Sequence, residues 1–439
     1  MKKFLVSLLL IVMSFTILSC DASKYVIPDI IGMDINEAKL LIAGEVKTEI
    51  TYESTNQHLP DLVLGFQDGL EVNDKMNKNK TLNIIVAQAP EGSFTHSNEI
   101  EYVYDLGFVT GPDSQNFDLL RETGIGSTDL GIPVTIDDKI VFLYGDTFSG
   151  TENMSGIWNS NVMVEFTDTD FSDGITFSRV ITNDRGFALA FAQGLHHKSE
   201  TDEESQSPSR EVTKIPTGGI QVGEDVYFFY MSVRYWGSHG DWGVSYNQVV
   251  KSDTSLSSFS EVDGLRWTEE LAANFGQIFP FENPDQPDYV YFVSIPGGRF
   301  GGVALFRVLK TNFENFQSYE YYLGNDNWVS GSNGLQQFKE NPHLIISAPC
   351  GELSIMYNNY LDKWMIVYLR NGEIIMQTAE NLIADWSQPI TLVTGSDFNG
   401  LYGGFISPDM ITDDGKKFYM QVSRWLPIYQ TQLVEVVLK

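Results

Sequence analysis

Residues 137–144 have the sequence DDKIVFLY, in which a charged turn leads directly into five apolar or aromatic residues. Such a run, entered through turn-forming residues, is typical of a buried β-strand that begins at a tight turn. The same order recurs at residues 223–230, 287–293, 361–368 and 413–422. A second strand-like segment follows each run, so the sequence predicts five β-hairpins, with these second strands: Asn161–Phe166, Asn247–Lys251, Val303–Leu309, Glu373–Thr378 and Gln432–Leu438.

Repetition of one hairpin unit in a fixed order predicts a mainly β fold, a five-bladed β-propeller over residues 99–439. The chain ends at Lys439, directly after the third strand of the last predicted blade. We therefore expect Ile100–Tyr104 to supply the missing outer strand and to close the ring. The alternative is a β-sandwich built from the same strands.

The first twenty residues predict export. Lys2 and Lys3 precede the apolar run Phe4–Leu18, which ends at Ser19-Cys20. This order is typical of a signal peptide, and its end resembles a bacterial lipobox. We expect residues 1–19 to be removed, Cys20 to carry lipid and residues 20–24 to form the anchored terminus, which places the protein in a bacterial cell envelope, at the outer membrane or cell surface. The alternative is a plain signal peptide with an incidental cysteine.

Residues 25–88 predict a separate small αβ unit. Asp34 is placed to cap a helix, with Glu37 three residues later, and strand-like runs follow at Val46–Tyr52, Leu62–Gln67 and Thr81–Ala87. The polar, Pro- and Gly-containing segment at residues 89–98 is the expected linker to the propeller.

The segment Val26–Met33, with Glu37–Lys39 and the closing run Leu82–Val86, resembles a PASTA domain, the module found on penicillin-binding proteins and serine/threonine kinases. The resemblance implies binding to cell wall. Val72–Lys75 stands where PASTA domains have Pro-x-x-Gly, and the alternative role of this single copy is that of a spacer.

The chain has 58 acidic and 28 basic residues and a formal net charge of −30. Such a surface repels phosphate backbones, which argues against nucleic acid as a partner. A neutral polymer such as a polysaccharide is compatible with this charge, although the charge by itself is equally explained by solubility. We expect a monomer whose partners are the polysaccharide and, through the lipid, a membrane.

Two aspartates stand out because they flank the strands of the first hairpin. Asp129 precedes an apolar strand start, and Asp146 follows the run that ends at Tyr144. If the inner strands of the blades converge on a channel, both side chains approach its mouth. The structural alternatives are a turn cap for Asp129 and a strand-end hydrogen bond with Thr147 for Asp146.

The motifs around these aspartates carry a family resemblance. Thr128–Gly131 and Gly145–Phe148, with Pro216–Gly219 and Tyr402–Pro408 in later blades, resemble the family first described as domain of unknown function 4185, whose characterised members form glycoside hydrolase family 183, the endo-D-arabinanases. The resemblance implies a propeller that cleaves internal α-D-arabinofuranosyl linkages of D-arabinan, of the arabinogalactan or lipoarabinomannan type, with Asp129 and Asp146 as the catalytic carboxyls. Two carboxyls suffice for glycoside hydrolysis, one as acid and one as base or nucleophile. We expect inversion, with Asp129 as the base and Asp146 as the acid.

Further candidates would bind the substrate. The glycine-rich loop at residues 233–242 contains Trp236 and Trp242, whose ring faces are expected to stack on sugars. Simple packing of the loop is the alternative. The other predicted substrate-binding residues are His239, Asp241, Asn161 and Tyr402. Glu352 and Asp409 are weaker candidates for a third acid, and a structural hydrogen-bond acceptor is the alternative for each.

The sequence lacks the motifs of several other classes of enzyme. The sequence has no Ser-His-Asp nucleophile elbow, no zinc-spaced histidine pair, no phosphate-binding loop and no dinucleotide fingerprint. We therefore expect no cofactor and no metal site. The alternative to an enzyme is a non-catalytic glycan-binding propeller with the same aromatic mouth.

Overall fold

The computed structural model describes residues 23–152, 154–197, 210–238, 240–268 and 274–439. The predicted signal peptide, the lipidation site Cys20 and the candidate His239 lie outside the described residues. The chain divides into two compact units, one up to Glu91 and one from Gly92 to Lys439. No helix within the described ranges has the length and apolar character needed to cross a membrane.

The first unit packs one helix and short sheets around its own apolar core. Helix Ile35–Ile42 begins at Asp34, whose carboxylate accepts a hydrogen bond from the Asn36 amide at 2.8 Å. Its apolar face buries Ile35, Ala38 and Ile42. The central strand of the three-stranded sheet pairs in parallel with one neighbour and antiparallel with the other. The strands of this unit are Lys24–Val26, Lys47–Ser54, Val63–Phe66, Lys75–Asn77 and Thr81–Gln88.

The described part of the second unit contains five main antiparallel sheets, and the protein is mainly β. The first sheet contains Leu130–Ile136, Lys139–Tyr144, Val162–Phe166 and Arg179–Val180. The second contains Thr213–Val222, Asp225–Trp236, Trp242–Asp253 and Ser260–Thr268. The third contains Gln277–Glu282, Tyr289–Ile295, Gly301–Leu309, Glu320–Tyr322 and Trp328–Ser330, with Leu344–Cys350 paired to its third strand.

The fourth sheet contains Leu353–Asn358, Lys363–Arg370, Glu373–Ala379 and Ile390–Thr394. The fifth contains Leu401–Phe405, Lys417–Arg424, Gln430–Leu438 and Ile100–Phe108, with Ile411–Thr412 paired to its second strand. A separate pair joins Thr147–Phe148 to Trp158–Asn159. The helices are Phe117–Glu122 and Gly331–Glu340, and the 3₁₀ turns are Lys310–Asn312, Phe316–Ser318 and Asp413–Gly415.

Tight turns set the hairpins that the sequence predicts. In the first sheet Ile136 pairs with Lys139 across a two-residue turn, and Asp137 there has a φ of 54°. In the fourth sheet Asn371 and Gly372 both have positive φ, as a two-residue hairpin turn that matches strand twist requires. The apolar runs after these turns are buried, so a short sequence pattern determines both the turn and the strand.

The first strands of the five sheets contact one another in cyclic order, the first with the second and so on to the fifth, which contacts the first again. The fifth sheet is completed by Ile100–Phe108, which pairs antiparallel with Gln430–Leu438. The pairing predicted for Ile100–Tyr104 is therefore present. Because residues near both ends of the unit share one sheet, the ends are held together by backbone hydrogen bonds.

Candidate active site

A cavity of about 810 Å³ opens where the first strands of the five sheets begin. Each sheet contributes at least one lining residue: Leu130, Ile215, Gln277, Leu353 and Tyr402. Most of the lining is apolar or aromatic, and the few charged groups are therefore conspicuous. The volume and the mainly apolar lining of this cavity are typical of a site that binds a small molecule.

Asp129 reaches this cavity through an unusual backbone. Leu130, which follows it, has a φ of 73°, a left-handed conformation that non-glycine residues seldom adopt, and Gly131 has a φ of 83°. Strain of this kind costs roughly 1–3 kcal/mol and persists only where surrounding contacts hold it. Here the Ser423 hydroxyl accepts from the Leu130 amide at 2.8 Å and donates to the Leu130 carbonyl at 3.0 Å. The fifth sheet thus fixes the direction of Asp129.

The carboxyl of Asp129 is buried and has one hydrogen-bond donor. Tyr402 donates to Oδ2, whereas Oδ1 is buried without a hydrogen-bond partner among the described residues. Burial raises the pKa of Asp129 to about 8, helped by the nearby charges of Asp146 and Glu352 and opposed by the Tyr402 hydrogen bond. Burial therefore favours the protonated form of this carboxyl near neutral pH.

Asp146 follows the second strand of the first sheet and is also buried. Both of its hydrogen bonds fall on Oδ1, one from the Trp158 indole Nε1 at 2.8 Å and one from the Thr213 hydroxyl at 2.5 Å. Burial raises the pKa of Asp146 to about 7, while the two donors lower it. Two buried carboxyls with raised pKa values in one cavity are typical of general acid–base catalysis.

An ion pair forms another wall of the cavity. Arg299 donates to Glu352 in bidentate fashion, with its shortest contact, Nη2 to Oε1, at 2.6 Å. The guanidinium carbon lies 5.3 Å from the ring centre of Trp242 and 5.2 Å from that of Tyr402. Arg299 therefore links the third sheet to the fourth through Glu352, and contacts the tyrosine that holds Asp129.

Only some of the predicted substrate-binding residues line the cavity. Trp236, Asp241, Trp242 and Tyr402 line the cavity with the two aspartates. Trp242 is buried, with Trp236 edge-on at 5.5 Å and Arg299 over its ring, so its face is covered rather than open to a sugar.

Asn161 does not line the cavity. Its amide donates to the carbonyls of Ala192 at 2.6 Å and Lys214 at 3.0 Å, and it accepts from the Ala192 amide at 3.2 Å. Glu352 lines the cavity, whereas Asp409 lines a second cavity, of about 710 Å³, where its carboxylate accepts from Thr135.

Sequence reasoning missed several residues that line the cavity, among them Trp158, His196, Arg299, Trp425 and Tyr429. Tyr429 faces both aspartates, whose charges together with burial raise its pKa well above the usual range. Trp425 is 47% exposed, so its indole ring is more accessible for stacking on a sugar than that of the buried Trp242. Trp158 lies in the short strand Trp158–Asn159 and the other four lie between strands. No spacing in the sequence connects these residues with Asp129 or Asp146.

No group of three or more His, Cys, Asp or Glu side chains in the described ranges is arranged to hold a metal ion.

A family model described as a domain of unknown function (DUF4185) matches residues 114–435. The chain belongs to the DUF4185 family. This match covers Asp129, Asp146 and the strands of all five sheets except Ile100–Phe108 and the last residues of the chain.

Two curated proteins are similar to this DUF4185 chain. An uncharacterized 35.9 kDa protein from Mycolicibacterium smegmatis is 24% identical over 72% of this chain and 92% of its own length. Notoamide biosynthesis cluster protein J' from Aspergillus versicolor is 27% identical over 70% of this chain and 82% of its own length.

Among solved structures, one titled as a "putative hydrolase" from Bacteroides ovatus matches with a TM-score of 0.53 and 11% identity, over 78% of this chain and 93% of that chain. At this identity the likeness concerns the fold. Other structural neighbours, with TM-scores between 0.38 and 0.41, are glycoside hydrolases by their titles.

Proposed function

We propose that residues 92–439 form a five-bladed β-propeller that hydrolyses internal α-D-arabinofuranosyl linkages of D-arabinan. The observation that carries the proposal is the pair of buried carboxyls, Asp129 and Asp146, at the wall of one large cavity. The cyclic contacts of the five first strands support the count of blades. The DUF4185 match supports the substrate class through the resemblance to endo-D-arabinanases.

The contacts of the two carboxyls favour roles opposite to those expected from the sequence. Asp146 accepts two hydrogen bonds on Oδ1, which stabilise its ionised form. Asp129 has a single donor and lies near two other carboxyls, Asp146 and Glu352, which favour its protonated form. We therefore assign Asp129 as the general acid and Asp146 as the general base.

In this mechanism the bond between the anomeric carbon and the bridging oxygen breaks as Asp129 gives its proton to that oxygen. A water molecule on the other face forms the new bond to the anomeric carbon and gives its proton to Asp146. Solvent then returns a proton to Asp129 and removes one from Asp146. One displacement of this kind inverts the configuration of the anomeric carbon.

The surroundings of the carboxyls suit a neutral furanose polymer. The apolar lining removes water from the reacting groups, and the exposed Trp425 offers a ring face at the mouth. A net charge of −30 disfavours anionic polymers and leaves neutral ones unaffected.

The test is hydrolysis of purified D-arabinan, followed by chromatography of the released oligosaccharides and by NMR of the new reducing ends. We expect oligosaccharides of several lengths, and reducing ends that first appear as the β anomer. Asp129→Asn and Asp146→Asn should each lower kcat by at least about 100-fold, because each removes a proton-transfer group.

Asp409→Asn is the matched control, since Asp409 lies in the second cavity and should leave kcat within about twofold. If wild type binds D-arabinan but releases nothing, the protein is a glycan-binding propeller and the enzymatic proposal fails. Products that first appear as the α anomer would instead exclude the single displacement.

A further inference from the structure

Trp158 is brought to Asp146 by a short antiparallel pair that immediately follows this aspartate. Thr147–Phe148 pairs with Trp158–Asn159, with Trp158 opposite Phe148. The indole Nε1 then donates to Asp146 Oδ1 at 2.8 Å. An indole nitrogen is only a donor, so this contact favours the ionised carboxylate over the neutral acid.

Two other rings stack against the Trp158 indole. The Phe148 ring centre lies 5.7 Å away with an interplanar angle of 23°, and the His196 ring centre lies 4.0 Å away with an angle of 1°. Trp158 lines the cavity, and these two stacked rings restrain its orientation there. Its position suits a role exerted through Asp146 instead of through direct stacking on the substrate.

His196 is held in this stack by its own contacts. Its Nε2 lies 2.9 Å from the Ser160 hydroxyl and 3.1 Å from Gln193 Nε2. An amide nitrogen can only donate, so Nε2 accepts and the proton of the neutral ring is on Nδ1. Burial lowers the pKa of His196, against the opposing charge of Glu211, and so favours the neutral ring.

Glu211 anchors the segment that carries His196. Its buried carboxylate accepts from the Leu195 amide at 3.2 Å, from Ser232 at 2.5 Å and from Tyr246 at 3.0 Å. The stack is thus attached to the second sheet, and the same sheet provides Thr213, the other donor to Asp146.

We propose that Trp158, held by stacking on Phe148 and His196, is a positioning residue that keeps Asp146 ionised and oriented as the general base. The inference rests on the proposed glycosidase function. Both donors act on Oδ1, which leaves Oδ2 to receive the proton of the attacking water. The titratable groups that face Asp146 are Asp129 and Tyr429, and Glu211 faces His196.

The kinetic test is Trp158→Phe, which keeps a ring in the stack and removes the donor. Loss of one hydrogen bond to a carboxylate should raise the pKa of Asp146, and a base must be deprotonated to act. We expect the acidic limb of the pH profile of kcat/KM to move up by about one pH unit, with about tenfold loss of kcat/KM below that limb. KM at higher pH should stay within about twofold, because the cavity retains its shape.

Two further variants separate positioning from packing. Trp425→Phe changes an exposed ring at the cavity mouth, so it should alter KM and leave both limbs in place. His196→Phe keeps a ring stacked on Trp158, whereas His196→Ala removes it. The acidic limb of the kcat/KM profile should therefore move to higher pH by more in His196→Ala than in His196→Phe. If Trp158→Phe lowers kcat/KM equally at all pH values and leaves the acidic limb of the profile in place, the proposal is overturned. If the basic limb moves instead of the acidic one, Asp146 is the general acid and the proposal is also overturned.

A measurement without turnover distinguishes failure of this inference from failure of the proposed function. In protein labelled with 5-fluorotryptophan, the ¹⁹F resonance that disappears in Trp158→Phe should shift with a midpoint near pH 7, and Asp146→Asn should abolish that shift. His196→Phe should retain it, which excludes titration of the stacked imidazole. A Trp158 resonance that ignores pH overturns the inference even if D-arabinan is hydrolysed, whereas a titrating resonance without hydrolysis rejects only the enzymatic function.

Discussion

On the side away from the cavity, Asp129 is positioned by close contacts with Gly145. A Cβ atom on Gly145 would lie 2.5 Å from Asp129 Oδ1 and 3.0 Å from the Leu130 side chain. The glycine is therefore required by the approach of the carboxylate oxygen, in a segment where Leu130 already has a left-handed backbone. Ser423 restrains the same backbone from the fifth sheet.

The change Gly145→Ala should displace Asp129 because the oxygen cannot remain at 2.5 Å from a methyl group. We expect kcat on D-arabinan to fall by at least about tenfold, since small displacements of a catalytic group are costly. The protein should stay folded, as judged by circular dichroism and thermal unfolding. Gly395→Ala is the control, because its nearest atom would lie at 3.8 Å, and equal kcat for the two variants would contradict this account of Asp129.

At the scale of elements, strand Ile100–Phe108 determines whether the fifth sheet is complete. It pairs with Gln430–Leu438, and the Tyr102 hydroxyl donates to the Glu435 carboxylate at 2.6 Å. Glu435 is fully buried, and Lys417 lies 3.6 Å from its other oxygen. Hydrogen bonds to such a buried carboxylate contribute to stability because water cannot replace them.

Tyr102→Phe removes one donor from Glu435 and should lower the free energy of unfolding by about 1–3 kcal/mol. Urea unfolding followed by fluorescence measures this change. Tyr104→Phe is the matched control on the same strand, since Tyr104 is only half-buried, and we expect it to be nearly neutral. An equal loss of unfolding free energy in the two variants would show that the Tyr102–Glu435 hydrogen bond does not contribute specifically to stability.

At the scale of the whole molecule, the two units have separate apolar cores. The first contains Ile27, Leu82 and Val86, and the second contains the interiors of the five sheets. The division falls at Glu91, ahead of the bridge between Phe94 and Val103 that belongs to the second unit. Every residue of the proposed active site belongs to the second unit.

A chain that begins at Gly92 should therefore hydrolyse soluble D-arabinan with kcat/KM within about twofold of the full chain, because the second unit has its own core. A chain that begins at Gly111 lacks Ile100–Phe108 and is the matched control, which should fail to fold. Substrate hydrolysis and size-exclusion chromatography measure both. Loss of activity in the Gly92 chain would mean that the first unit takes part in catalysis.

Local sequence patterns predicted most of the strands of the second unit. A charged turn followed by an apolar run predicts a strand wherever it occurs, because turn geometry and burial depend on neighbouring residues, and the mainly β character follows from five such repeats. The strand closing the fifth sheet was also predictable, since the last hairpin lacked a partner. Asp129 and Asp146 were singled out as candidates from motifs at the ends of adjacent strands, whereas their burial could not be predicted from those motifs.

Only the tertiary structure decided which side chains surround those two aspartates. Trp158 lies in a short separate strand pair, and His196 and Arg299 lie outside the strands. Contacts between such distant segments depend on packing that no interval in the sequence predicts. The same packing covers Trp242 with Arg299 and commits Asn161 to backbone hydrogen bonds. The sequence by itself thus predicted the strands and drew attention to the two aspartates. The packing of the sheets determined the burial and the neighbours of these aspartates, because both depend on contacts between segments that are far apart in the sequence.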